Sequence, residues 1–236
     1  WHRYGLMTIE KKLLGTTPVS SGIEPEAVSF GPSDYLGRSS DLTGNALTKQ
    51  MTLSWWIYNS GASSGYAFWL NSQYVRADVG ASGTFSFHGL KVGANDVLRA
   101  QASAGAVPIN TWSHVLISFD LTNTSNRHFY VNDVDASSYM SWNVYSNENL
   151  HMLGSDVRGP DCDGRHSHIF LDYTYRNLST TSTRRLFITA EGKPADSDTL
   201  AALNPIIYLP LIDAATAGSN SGTGGDFTAN GVLATA

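Results

Sequence analysis

A single antiparallel β-sandwich is the fold this sequence predicts, and three observations predict it. Short runs of alternating apolar and polar residues recur along most of the 236 positions. The chain carries 22 Gly and 8 Pro without the strict period of collagen, so turns are frequent. Helical character shows in one short stretch only, which argues against alternating β/α units. Hydrophobic residues make up 42%, enough to bury a substantial core. One sandwich domain of this length is ordinary.

The elements follow in order. Gln50–Asn59 (QMTLSWWIYN) alternates Leu53, Trp55 and Ile57 against Thr52, Ser54, Trp56 and Tyr58. Both sets are partly apolar, which predicts a central strand. Tyr66–Asn71 is a second strand, after the loop Ser60–Gly65. Thr84–Val92 places Phe85 and Phe87 on one face, then shifts phase to Leu90 and Val92 after Gly89, as a β-bulge does. Trp112–Leu121 puts Val115, Ile117, Phe119 and Leu121 inward, and Trp112 is expected to join them against the partner sheet. Arg127–Val134 pairs with it across the turn Asn123–Asn126. His168–Arg176 aligns Ile169, Leu171, Tyr173 and Tyr175 on one face, and Ile206–Leu211 is a late apolar strand. The helix is expected near 179–188, with Ser179 as N-cap of Thr180–Ile188.

Three units are expected: an N-terminal arm (1–26), a sandwich domain (27–213) and a Gly-rich C-terminal tail (214–236) in which Gly218–Gly225 reads as flexible. Both ends carry apolar residues, Trp1, Leu6, Leu13 and Leu14 at one and Phe227, Val232 and Leu233 at the other. Ordering such tails costs a lone chain about 1–2 kcal/mol per residue in backbone entropy, so a homo-oligomer is the expected state.

Net charge is −5 and only 15% of residues are charged, so no basic face and no nucleic-acid partner is expected. No apolar run approaches the ~20 residues of a membrane helix. Lys11 and Lys12 precede only Leu13 and Leu14, which is no signal peptide. Cys162 is the single cysteine, so no internal disulfide forms, which suits assembly in a reducing cytoplasm.

Three blocks carry a resemblance. They are Ala27–Tyr58 (with AVSF, SDYLGRSSDLTG and MTLSWWIY), Asn110–Asp133 (NTWSHVLISFDLTNTSNRHFYVND) and Leu150–Phe187 (with LHMLGSD, IFLDYTYRNLS and RRLF). Their order resembles the laminin-G-like, concanavalin A-like jelly-roll domains, over roughly residues 27–211. The chain departs from that pattern at Asn132-Asp133, where Asn-Gly is usual. The C-terminal phrases RRLFITAEGKPAD, NPIIYLPL and GTGGDFTANG resemble such domains in structural proteins of tailed bacteriophages. The resemblance implies a non-enzymatic virion component, a capsid decoration or tail-associated module assembled in the host cytoplasm. Its partners would be other virion proteins and a host-surface glycan. The alternatives are a glycan-binding, lectin-like module of a larger cellular protein and, third, a degenerate glycoside hydrolase.

Candidate chemistry is sparse. Gly61–Gly65 matches G-x-S-x-G, but a strand-like run follows where a nucleophile elbow needs a helix. Hydrolases of this fold present an E-x-D-x-x-E strand, which none of the five glutamates forms; an aspartate pair such as Asp120 with Asp172 is the alternative, set against the reading of both as solvated outer-face positions. Between Asp156 and His168, Asp161 and Asp163 suggest part of a calcium loop, whereas Cys162, His166 and His168 suggest zinc ligands. His166 and His168 would share a strand face. Both ligand sets are incomplete, so neither a metal nor any other cofactor is expected. Tyr139, Trp142 and Tyr145, in a polar stretch, are the candidate glycan-stacking aromatics; the alternative is an edge strand whose aromatics cover the sheet.

Overall fold

The computed structural model describes residues 24–61, 65–70, 75–90, 96–145, 148–150, 157–158 and 163–236. The strands, in chain order, are β1 Val28–Phe30, β2 Tyr35–Arg38, β3 Gln50–Asn59, β4 Gly65–Leu70, β5 Val75–Val79, β6 Phe85–Leu90, β7 Asp96–Ala102 and β8 Trp112–Asp120. They continue as β9 Arg127–Val131, β10 Val134–Asp135, β11 Met140–Val144, β12 Val157–Arg158, β13 Gly164–Asp172, β14 Ile207–Leu209, β15 Thr228–Asn230 and β16 Ala234–Thr235. Two short helices, α1 Thr181–Arg184 and α2 Ser197–Ala201, lie between β13 and β14.

Two antiparallel sheets result. Sheet A runs β10-β9-β8-β3-β13-β1-β16, with β14 also on β13; sheet B runs β11-β7-β6-β5-β4-β12-β2-β15. Their inner faces enclose the main core, in which Leu53, Trp55, Ile57, Val115, Ile117 and Phe119 from sheet A meet Ala77, Phe85, Phe87 and Ala100 from sheet B. Phe119 stands edge-on to both Phe87 and Trp142. The expected bulge at Gly89 is present as a register shift between Gly89 and Leu90. A Cβ at Gly89 would stand 2.2 Å from Leu150 Cδ2, so the missing side chain is what admits Leu150 to the core.

The outer face of sheet A is also covered. Leu178, Phe187, Ala195 and Leu200 cap Leu116, Tyr130, Phe170 and Tyr208. Every residue of β8 is therefore buried, polar ones included. β3 lies between β8 and β13, the central place its two apolar faces predicted.

Several expectations are corrected. Trp112 lies on the outer face with Ala27, Trp56 and Ile188, because its even position is out of phase with Val115, Ile117 and Phe119. The strand expected at His168–Arg176 runs Gly164–Asp172, and Tyr175 stacks on His128. The helix expected over Thr180–Ile188 is one turn, Thr181–Arg184, with Thr180 in the N-cap position. Ser179 Oγ donates to Asn177 Oδ1 instead, and the Thr-Ser-Thr run favours such local hydrogen bonds over helix. Helix α2 was missed; Asp196, whose side chain accepts from the backbone N–H groups of Asp198 and Thr199, is the N-cap signal that marks it.

Residues 214–236 are not a tail. Strand β15 pairs with β2 in sheet B, and β16 pairs with β1 in sheet A. Phe227 is buried, and Gly218–Gly225 folds back tightly: a Cβ at Gly224 would stand 2.5 Å from the Ile206 carbonyl. The sandwich itself supplies the apolar surface that was expected from a neighbouring chain. Residues 1–23 of the expected arm lie outside the described residues.

Candidate functional site

Sheet B leaves its outer face uncapped by α1 and α2, and strand alternation decides what stands on it. In β5, Val75, Ala77 and Val79 point into the core, so Arg76 and Asp78 point out. In β6, Phe85 and Phe87 point in, and Ser86 and His88 point out. In β7, Ala100 and Ala102 are buried while Arg99 and Gln101 are exposed. In β11, Met140, Trp142 and Val144 pack on the core, leaving Ser141 and Asn143 outside.

The register lines these residues up in two rows across the strands. Arg76 stands opposite His88, His88 opposite Arg99, and Arg99 opposite Asn143. Tyr66 stands opposite Asp78, Asp78 opposite Ser86, Ser86 opposite Gln101, and Gln101 opposite Ser141. Residues opposite one another on one face are direct neighbours, and the two rows lie about 7 Å apart, two residues along a strand.

The centre of this face is shielded. Ser86 is only 6% exposed, and the side chains of Asp78 and Arg76 are 16% and 29% exposed. Arg76 Nε lies 3.2 Å from Asp78 Oδ2. Burial raises the Asp78 pKa, and the nearby Arg76 and His88 only partly oppose it. Burial lowers the His88 pKa, and the charge of Arg76 lowers it further. Towards the β11 edge the floor opens. Arg99 Nε pairs with Asp96 Oδ2 at 3.2 Å, and its side chain is half exposed. Polar side chains held in a partly water-excluded floor present fixed donors and acceptors to a polar ligand.

The candidate aromatics separate. Trp142 turns inward and packs edge-on against Phe119. Tyr145 continues the outward phase of Ser141 and Asn143; it is exposed, and its N–H donates to the Val97 carbonyl at the rim of this face. Tyr139 is exposed at the other end of β11, beside strand β10 and Ala136. The rows on β5, β6 and β7 were not singled out from sequence. Their signal was a strand whose outward positions alternate Arg-Asp or Ser-His, but pairing them across the sheet requires the register.

The metal candidates also separate. Asp161 and Cys162 lie outside the described residues. His166 points into the main core, where Trp55 Nε1 donates to its Nδ1 at 3.0 Å and Phe30 stands edge-on. His168 points to the opposite face, towards Tyr208. The parity breaks because β13 passes from β1 to β14 between them, with a bulge against β3 and a left-handed φ of 47° at His168. The two imidazoles therefore do not share a face. Among the described residues no three His, Cys, Asp or Glu side chains cluster as metal ligands. Asp163 is half-buried at the start of β13.

Asp120 and Asp172 are each held by neighbours. Asp120 accepts from the Thr122 hydroxyl and N–H and from the Gln50 amide. Asp172 pairs with Arg176 and accepts from the Thr174 N–H. Loop residues 62–64 of the G-x-S-x-G match lie outside the described residues, and a strand, β4, follows it.

The chain belongs to the concanavalin A-like lectin/glucanases superfamily, whose laminin-G-type model matches residues 31–168. Among solved structures it is similar to a candidate carbohydrate-binding protein from Bacteroides ovatus, at 12% identity and a TM-score of 0.56. That alignment covers 89% of this chain and 60% of the other, so the chain spans less than two thirds of that relative. It is also similar to a heptameric SAP-like pentraxin from Limulus polyphemus, at 13% identity and a TM-score of 0.51, covering 89% of this chain and 94% of that one. At these identities the likeness concerns the fold. No curated protein is close enough in sequence to match. Among the described residues no helix is long and apolar enough to cross a membrane.

Proposed function

We propose that the chain is a non-catalytic, glycan-binding module whose binding surface is the outer face of sheet B. The observation that carries this reading is the shielded floor of Arg76, Asp78, Ser86 and His88, continued by Arg99, Gln101 and Asn143 towards the rim at Tyr145. Sugar hydroxyls both donate and accept, so a site for them needs carboxylate, amide and guanidinium groups close together. An exposed aromatic at the rim offers a plane for the apolar side of a ring. The Bacteroides ovatus neighbour, a candidate carbohydrate-binding protein, supports the same reading.

The test is titration of the intact chain against a glycan panel, repeated with Asp78→Asn and Gln101→Ala. At least one glycan class should bind, and either substitution should weaken it about tenfold, as loss of hydrogen bonds involving a charged or fixed polar group does. No binding across the panel, or binding indifferent to both substitutions, would overturn the proposal.

A second reading sets the module on a virion. The C-terminal phrases around Arg184–Asp196, Asn204–Leu211 and Gly222–Gly231 are what favour it. The same face would then meet host-surface glycan, and the heptamer formed by the pentraxin neighbour is consistent with a homo-oligomer. Mass spectrometry of purified particles decides: a fixed, high copy number supports this reading, and its absence removes it.

A further inference from the structure

We infer that the glycan taken by this face is acidic, a chain of uronic acids whose alternate carboxylates meet Arg76 and Arg99 on the row Arg76–His88–Arg99. The inference rests on the glycan-binding reading and adds the substrate class.

The two rows differ in chemistry. Arg76, His88 and Arg99 stand side by side on β5, β6 and β7, and all offer N–H donors. The parallel row of Asp78, Ser86 and Gln101 offers acceptors and amphoteric groups. A pyranuronic acid ring has a matching asymmetry: a carboxylate on C5 at one edge, and the C2 and C3 hydroxyls at the other. Successive rings of a 1,4-linked chain are turned over, so alternate carboxylates fall on the first row about 10 Å apart, which is the two-strand spacing of Arg76 and Arg99, while the ring between them turns hydroxyls to His88. A neutral sugar chain offers the first row only hydroxyl acceptors, which a guanidinium binds more weakly than a carboxylate.

The arginines are braced for this role. Asp78 holds Arg76 at Nε, and Asp96 holds Arg99 at Nε. Among the described residues neither terminal nitrogen of Arg99 has a protein partner, so its forked edge is open to accept a carboxylate in bidentate fashion. The two aspartates cancel formal charge on the floor. The attraction is therefore local and directional, and a fork-shaped carboxylate benefits more than a diffuse anion. His88, on the strand between the two arginines, contributes an imidazole N–H donor.

The experiment is calorimetry on the intact chain with oligomers of galacturonate, glucuronate and mannuronate. Each is set beside its methyl ester, a neutral galactan oligomer and dextran sulfate. One uronate should bind, and its methyl ester about tenfold more weakly. Arg99→Gln and Arg99→Lys should each cost about tenfold on the acid form, and the preference for acid over methyl ester should collapse towards one. Equal binding of acid and ester, indifference to both Arg99 variants, or tighter binding of dextran sulfate than of every uronate would overturn the inference. If neutral glycans bind while uronates show no preference, only the inference falls. If no glycan binds, the reading beneath it falls as well.

Discussion

Asp133 Oδ2 lies 2.7 Å from Arg185 Nη2, and its other oxygen receives Arg184 Nε. Asp133 stands where the laminin-G-like resemblance implies glycine, in a two-residue turn between β9 and β10 in which Asn132 and Asp133 have φ of 50° and 64°. A non-glycine residue in this left-handed conformation costs about 1–2 kcal/mol. The departure has a reason in the structure: the carboxylate latches the 178–203 cap onto the outer face of sheet A.

The latch gives the first prediction. Burial alone would raise the Asp133 pKa, but hydrogen bonds from Arg185 and Arg184 outweigh it, and the net shift is downward. A depressed carboxylate stabilises the fold above its unfolded pKa and loses that contribution as pH falls through the folded value. Asp133→Ala should cost about 1–3 kcal/mol at pH 7 and nothing further at strongly acidic pH. Asp133→Gly loses the latch but relieves the turn, and should be milder by about 1 kcal/mol. Urea titrations of the two variants measure this; equal losses would show that the turn is unstrained.

The buried histidines set a second pH dependence. Burial lowers the pKa of His114 to about 3 and of His168 to about 4, from 6.5. Both are neutral when folded and take a proton on unfolding below pH 6.5. Each therefore removes up to about 1.4 kcal/mol of stability per pH unit, as pH falls from 6.5 towards its folded value. Denaturation midpoints at pH 7 and pH 5 should differ accordingly, and His114→Gln should flatten part of the slope. A stability independent of pH across this window would contradict the placement of both rings.

Phe119→Ala should cost about 3–5 kcal/mol, because the ring is fully buried between Phe87 and Trp142. A loss below about 1 kcal/mol in chemical denaturation would mean that β8 does not present this residue to the inter-sheet core.

Removing residues 214–236 should abolish cooperative unfolding, since β15 and β16 complete one edge of each sheet and Phe227 is buried beneath them. Thermal melts followed by circular dichroism report this. A truncated chain that melts like the intact one would return these residues to the status of a tail.

What could be read in the sequence follows from period. Strands such as β3 and β8 alternate strongly enough to show their inner faces, and the ordered blocks from Ala27 to Phe187 carry the sandwich topology. Phase errors arose where alternation breaks. His168 was assigned the face of His166 because a bulge flips parity without a marker in composition. Trp112 belongs to the outer face because it is out of phase with Val115, Ile117 and Phe119, a parity that its membership of the same strand conceals. The Gly-rich stretch before β15 looks flexible in sequence, but its glycines permit close backbone approach. The floor of sheet B was invisible because Arg76, His88 and Arg99 are distant in sequence and meet only through register.

The central claim, that glycan lies on the outer face of sheet B, is tested most directly by backbone amide chemical shifts. The isotope-labelled intact chain is titrated with the glycan selected from the panel. Shifts should concentrate at Arg76, Asp78, Ser86, His88, Arg99 and Gln101, with the cap over 178–203 unmoved. Shifts confined to that cap, or to the cavity beside His168, Lys193 and Asp196, with the sheet B rows silent, would contradict the account.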